Sequence, residues 1–215
     1  ETLESFGSTH LDLIANGIFD KRWFVVRNIV WVMGSIKSAK GCDYLKRTLN
    51  HSDFRVRKET VNSLAKIGTP PAFQILISAL SDQDRKIRSY ALKALVSGKF
   101  KEVLPILWNT VSSKDFKSKG EDEKKAYIEA LAAVGEENGA LLLKKLIKKR
   151  NWLQKSYYRE LKLLAIKALE KYPTAVTGQV LQELANKAPA SIRATVLSTL
   201  RRIENRGNQI QSDKE

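Results

Sequence analysis

Apolar residues along this chain recur at spacings of three and four, a pattern that covers one face of a helix and does not fit a strand. The segment from Val56 to Gly68 shows it most cleanly, with Val56, Val61, Leu64, Ala65 and Ile67 in one stripe. The same pattern returns 31 residues later through Ile87, Ala91, Leu92 and Leu95, and lies 31 residues earlier through Val25, Ile29, Val30, Met33 and Ile36. Three more copies follow: Tyr127, Ile128, Leu131 and Val134; then Leu161, Ala165, Ile166 and Leu169; then Ile192, Val196, Leu197 and Leu200. The positions equivalent to Val56 are 25, 56, 87, 123, 161 and 192, so the steps are 31, 31, 36, 38 and 31. The two longer steps coincide with polar insertions around Ser112 to Glu123 and Arg150 to Tyr158, which belong in loops of a repeat array.

Five of these helices are preceded by another apolar helical stretch, from Cys42, Ala72, Val103, Ala140 and Val176, so the unit is a helical hairpin. Asp53, Asp82 and Asp84 stand where helix N-caps are wanted, Pro70 and Pro71 open a helix, and Gly68 and Gly135 end one. Pro105 is expected to kink the helix it interrupts. The pattern predicts one array over residues 1–206, with hairpins at 1–37, 38–68, 69–98, 99–135, 136–172 and 173–206. Residues 207–215 are polar and read as a fraying tail, because helical patterning fades after Ile203.

Asp53-x-x-Val56-Arg57 followed by Leu64, Ile67 and Gly68 resembles the HEAT-repeat signature, particularly its short bacterial form. The resemblance implies an all-α, right-handed α-solenoid of about six hairpins whose second helices line a concave, partner-binding face. Lys124 and Lys162 replace the usual arginine in later repeats, and the first has Val26 there with Arg27 one residue on. Arg57 and Arg88 are expected to pair with neighbouring aspartates along the array rather than to touch a ligand.

Composition narrows the picture further. The 215 residues carry a net charge of +15, which predicts attraction to polyanions or acidic protein surfaces. No apolar run reaches the roughly 20 residues of a membrane span and no signal-peptide succession opens the chain, so a cytoplasmic location is expected. The chain starts at Glu1 and its one methionine is the internal Met33, which reads as a piece of a larger protein.

Catalytic chemistry finds few residues to work with. His10 and His51 lie far apart, the His-Glu dipeptide with which some HEAT-like enzymes hold iron is absent, and Cys42 has no recognisable histidine base. No phosphate-cradling glycine pattern occurs. Trp108 with Asp115 is the nearest match to the tryptophan–acid set of HEAT-like DNA glycosylases, but Trp108 stands at an apolar position that packing explains. The expectation is therefore a non-enzyme without cofactor or metal.

Two surfaces are candidates for binding. The polar stripe between the apolar positions of the second helices holds Arg27, Asn28 and Trp31, then Lys58 and Asn62, then Tyr90 and Lys93, then Lys167 and Lys171. Trp31 reads either as a partner's anchor or as the contact of a further repeat upstream. The second surface is basic and interleaved with aromatics: Lys144, Lys145, Lys148, Lys149, Arg150, Trp152, Lys155, Tyr157 and Arg159. A scaffold binding a protein or peptide on the concave face is the leading reading. A nucleic-acid-binding module is the alternative, and a glycosylase or lyase rests on fold analogy alone.

Overall fold

The computed structural model describes residues 10–149, 155–187 and 190–212, among which every regular element is helical. The chain divides into two compact units, Glu1–Phe100 and Lys101–Glu215. Among the described residues no helix is long and apolar enough to cross a membrane.

In the first unit, three hairpins are formed by α1 (Leu11–Ala15, extended by a 3-10 turn to Phe19) with α2 (Trp23–Ile36), α3 (Cys42–Thr48) with α4 (Phe54–Ile67), and α5 (Pro70–Ser78) with α6 (Arg85–Ser97). The expected caps hold at two positions. Asp53 Oδ1 accepts from the Arg55 amide at 2.8 Å and Asp84 Oδ1 from the Lys86 amide at 2.7 Å. Asp20 accepts from the Arg22 amide at 2.8 Å, but it lies in the turn before α2, whose N-cap residue is Arg22 and has no side-chain cap bond. Asp82 is not a cap, contrary to expectation: it ends a 3-10 turn and its carboxylate faces Arg57 of the preceding hairpin. Gly68 ends α4 at φ 64°, the left-handed conformation that a side chain disfavours.

The Arg55 guanidinium holds the Asp53 carboxyl at a pKa of about 2, below its ordinary 3.8. A depressed carboxylate stabilises the folded state above its unfolded pKa and loses that contribution as pH falls through the folded value. The stability gap between the wild type and Asp53→Ala is therefore expected to be full at neutral pH and to close between about pH 4 and pH 2. Urea denaturation across that range checks it; a gap that stays constant refutes it.

Apolar residues of the stacked helices supply the core: Val26, Val30 and Met33 on α2, Val56 and Leu64 on α4, Leu76 on α5, and Ile87 and Leu95 on α6 are all fully buried. Three buried hydroxyls of this core are hydrogen-bonded. Thr48 and Thr60 share a hydrogen bond of 2.7 Å, and Ser63 donates to the Val30 carbonyl at 2.9 Å. Ser63 comes so near α2 that a Cβ on Gly34 would collide with its side chain and lie 2.7 Å from its Cα. Glycine is what lets α2 and α4 close on each other there.

The second unit contains α7 (Leu104–Ser112), α8 (Glu121–Lys148), α9 (Lys155–Lys171), α10 (Thr177–Lys187) and α11 (Ala190–Ser212). Helix α8 is two limbs, because Glu136 breaks it at φ 49° and ψ −124°. Helix α8 packs on both α7 and α9, and α10 on α11, so that in chain order α7 with the limb before residue 136, the limb after it with α9, and α10 with α11 make three further hairpins. Three expectations change here. Pro105 lies in the first turn of α7, where its missing amide hydrogen costs nothing, so it starts the helix and does not kink it. The reversal falls on Glu136 and not on Gly135; that glycine instead admits Leu104, whose Cδ1 would lie 2.8 Å from a Cβ. Helix α11 runs past Gly207 to Ser212, since one interior glycine costs a helix only about 1 kcal/mol.

Candidate functional site

The second helices of the first unit concentrate its positive charge. Helices α2, α4 and α6 carry nine cationic residues (Arg27; Arg55, Arg57, Lys58, Lys66; Arg85, Lys86, Arg88, Lys93) against one acid, Glu59. Arg57 is taken up by structure, as expected. It pairs with Asp82 at 2.8 Å and donates to the His51 and Ser52 carbonyls at 3.0 and 3.1 Å. Arg88 repeats the second half of this arrangement, donating to the Asp82 and Gln83 carbonyls at 2.8 and 3.1 Å.

The candidate stripe residues behave differently. Arg27, Asn28 and Lys93 are exposed, Trp31 is 52% exposed, and Lys58, Asn62 and Tyr90 are half-buried. Trp31, Asn62 and Lys93 occupy the same position of successive hairpins, 31 residues apart. The cations here sit over aromatic rings instead of carboxylates: Lys66 Nζ is 5.7 Å from the Trp31 ring centroid and Lys58 Nζ 5.2 Å from that of Tyr90. Trp23 lies under Arg55 Cζ at 3.3 Å and near Arg27 at 6.0 Å. The contacts of Lys58 and Lys66 leave those two ammonium groups charged and without a carboxylate, whereas Arg55 is also ion-paired with Asp53 at 2.7 Å. Lys66 and Trp23 were missed from sequence, although Lys58, Asn62 and Lys66 fall at steps of four, one face of a helix.

Between α4 and α6 the stripe opens into a groove of about 540 Å³, whose lining includes Asn62, Tyr90 and Lys93. Three of the expected residues thus meet at one place. Arg27, Asn28 and Trp31 stand on α2, across the closed seam made by Gly34 and Ser63; Arg27 also donates to Asn28 Oδ1 at 2.9 Å.

In the second unit the corresponding charges are largely compensated. Lys171 pairs with Glu129 at 2.8 Å, a contact that raises its pKa, while Lys167 remains exposed. The second basic surface is dispersed rather than assembled. Lys144 and Lys148 both reach Glu183, at 2.7 and 3.5 Å; Lys145 lies over Trp108 and Lys149 over Tyr158. Tyr157, whose pKa burial raises, lies under Lys124. Arg159 lines a separate groove of about 500 Å³ beside Glu121, Asp122 and Glu160. Arg150 and Trp152 lie outside the described residues, as does the side chain of Lys155, which opens α9.

Candidates for chemistry have structural surroundings. Cys42 is buried, and burial pushes its thiol pKa up, away from a nucleophilic thiolate. His51 Nδ1 accepts from the Asp53 amide at 2.9 Å, tying down the turn before α4. Among the described residues no three His, Cys, Asp or Glu side chains are grouped to hold a metal ion.

Paired helices with a shared register, caps at equivalent aspartates and an arginine bracing one hairpin to the next define a helical-hairpin repeat protein. Residues 11–96, which span the first three hairpins, match the family model for HEAT repeats. Comparison with curated proteins returns no match. Similar solved structures include the complex of CpcE and CpcF of phycocyanin lyase from Nostoc sp. PCC7120, at 16% identity over 90% of this chain and 82% of that one, with a TM-score of 0.44. Human deoxyhypusine hydroxylase in complex with glycerol is similar at 15% identity over 93% and 88%, TM-score 0.42. A designed armadillo repeat protein is similar at 14% identity over 88% and 98%, TM-score 0.43.

Proposed function

We propose that the chain is a non-catalytic binding module whose partner is a carboxylate-rich protein segment, held across the second helices of the first unit. The observation that carries this reading is the stripe of Arg27, Lys58, Lys66 and Lys93, none of which is paired with a carboxylate among the described residues, interleaved with the exposed Trp31 and with Tyr90. A lysine poised over a ring beside an uncovered tryptophan gives a partner both charge attraction and an apolar anchor, the composition of a binding hot spot. Dispersal of the second basic surface, with Lys144 and Lys148 spent on Glu183, weighs against a continuous phosphate-tracking groove there.

The test is fluorescence anisotropy with labelled glutamate-rich peptides and with single- and double-stranded DNA and RNA, at about 50 to 200 mM salt. Peptides are expected to bind, Trp31→Ala to weaken them about tenfold or more, and Lys148→Glu with Lys149→Glu to change nothing. Tighter binding of nucleic acid than of any peptide near physiological salt, or indifference to Trp31→Ala, would sink the proposal.

A further inference from the structure

The groove between α4 and α6 differs from the seam between α2 and α4 in a way that bears on what the partner must contain. At Gly34 and Ser63 the helices touch through a glycine, and a methyl group does not fit between them. One hairpin later the facing residues are Ala65 on α4 and Ala94 on α6, and the helices leave an open groove of about 540 Å³ with Phe73 among its lining. That ring is held in place by Phe100, stacked at 5.2 Å and 25°. The rim is polar. The Asn62 amide, the Tyr90 hydroxyl and the Lys93 ammonium all border the opening, and none of them has a hydrogen-bond or ion-pair partner in the protein among the described residues.

We infer that this groove is a socket for one aliphatic or aromatic side chain of the partner, flanked by carboxylates that pair with Lys93 and with Lys58 above Tyr90. The inference rests on the proposed function and adds a specificity to it. Methyl and phenyl surfaces inside the socket reward an apolar side chain, because apolar area leaves water. The unspent donors at its mouth reward acceptors placed on either side, and an unmatched charge or an empty socket forfeits those gains. A volume of this size lies within the range of ordinary ligand pockets and accommodates such an anchor together with its neighbouring backbone.

Selection of a phage-displayed random peptide library on the folded chain reads the preference directly. The expected consensus is a single Leu, Ile, Met or Phe between acidic residues, and replacing that apolar residue by serine in a synthetic peptide should weaken binding about tenfold or more. Filling the socket from either wall, with Ala65→Leu or Ala94→Leu, should remove the difference between the two peptides while leaving their common salt-dependent affinity; circular dichroism confirms that each variant is folded. Lys93→Gln should weaken both peptides alike. Acidic peptides selected without an apolar anchor, or an anchor preference that survives both filled variants, overturn the socket and leave the proposed function standing. Selection of no peptides, or of peptides lacking carboxylates, overturns both.

Discussion

Asp82→Ala is expected to lower the unfolding free energy by about 3 to 5 kcal/mol, the usual result of stripping a buried charge of its counterion. The side chains of Arg57 and Asp82 are 7% and 8% exposed, and two hydrogen bonds of 2.8 and 3.3 Å join them. Asp82 also accepts from the Asp84 amide at 2.7 Å, so its loss loosens the entry to α6 as well. In the variant the guanidinium keeps its bonds to the His51 and Ser52 carbonyls but faces no opposite charge. The pair as a whole contributes much less than this figure, because forming it desolvates both ions. Arg57→Met combined with Asp82→Leu should therefore be more stable than Asp82→Ala alone. Urea denaturation of the cycle decides: a change within about 0.5 kcal/mol for Asp82→Ala would mean that the pair braces nothing.

Gly34→Ala should cost about 2 to 4 kcal/mol, from overpacking together with loss of the hydrogen bond between Ser63 and the Val30 carbonyl. The added Cβ meets the Ser63 side chain and, at 2.7 Å, its Cα. A side chain can swing away, whereas a backbone atom moves only with its helix, so α2 and α4 must separate along their length. Ser63→Gly in the same chain removes two of the three obstructions and should recover part of the loss. Full recovery would show that the backbone was not the obstacle, and an unchanged melting profile for Gly34→Ala alone would show that the helices are not in contact there.

The period of 31 residues, the aspartate caps at Asp53 and Asp84 and the glycine stop at Gly68 were legible because each is a local event, written within one turn of where it acts. The arginine brace was legible only as a type of contact, since Asp82 looks like a cap until its partner 25 residues away is known. Pro105 was misread for a related reason. Its effect depends on whether the helix begins before or at it, and helix ends are the least certain part of any pattern. For the stripe, periodicity selects the exposed face of each helix, which identified Trp31, Asn62 and Lys93. It does not say which ring a lysine covers, so Lys66 and Trp23 were absent from the expected set. The second basic surface shows the opposite failure. Charges adjacent along the chain are distributed around two helices, where Glu183 and Trp108 take up several of them.

The bend at Glu136 bears on where this chain can grow. Its two limbs meet with one residue between them, and a Cβ on Gly139 would strike the Leu131 carbonyl, so the joint between the fourth and fifth hairpins is tight. The turn within the fourth hairpin is long by comparison, running from Ser113 to Gly120 with only Phe116 fully anchored. The extra length in the step from 87 to 123 falls in that turn and not at the joint. Added chain is thus absorbed inside a hairpin, while the hinge that orients one hairpin on the next is kept short. A tag or loop graft is better tolerated near Lys117 than at Glu136.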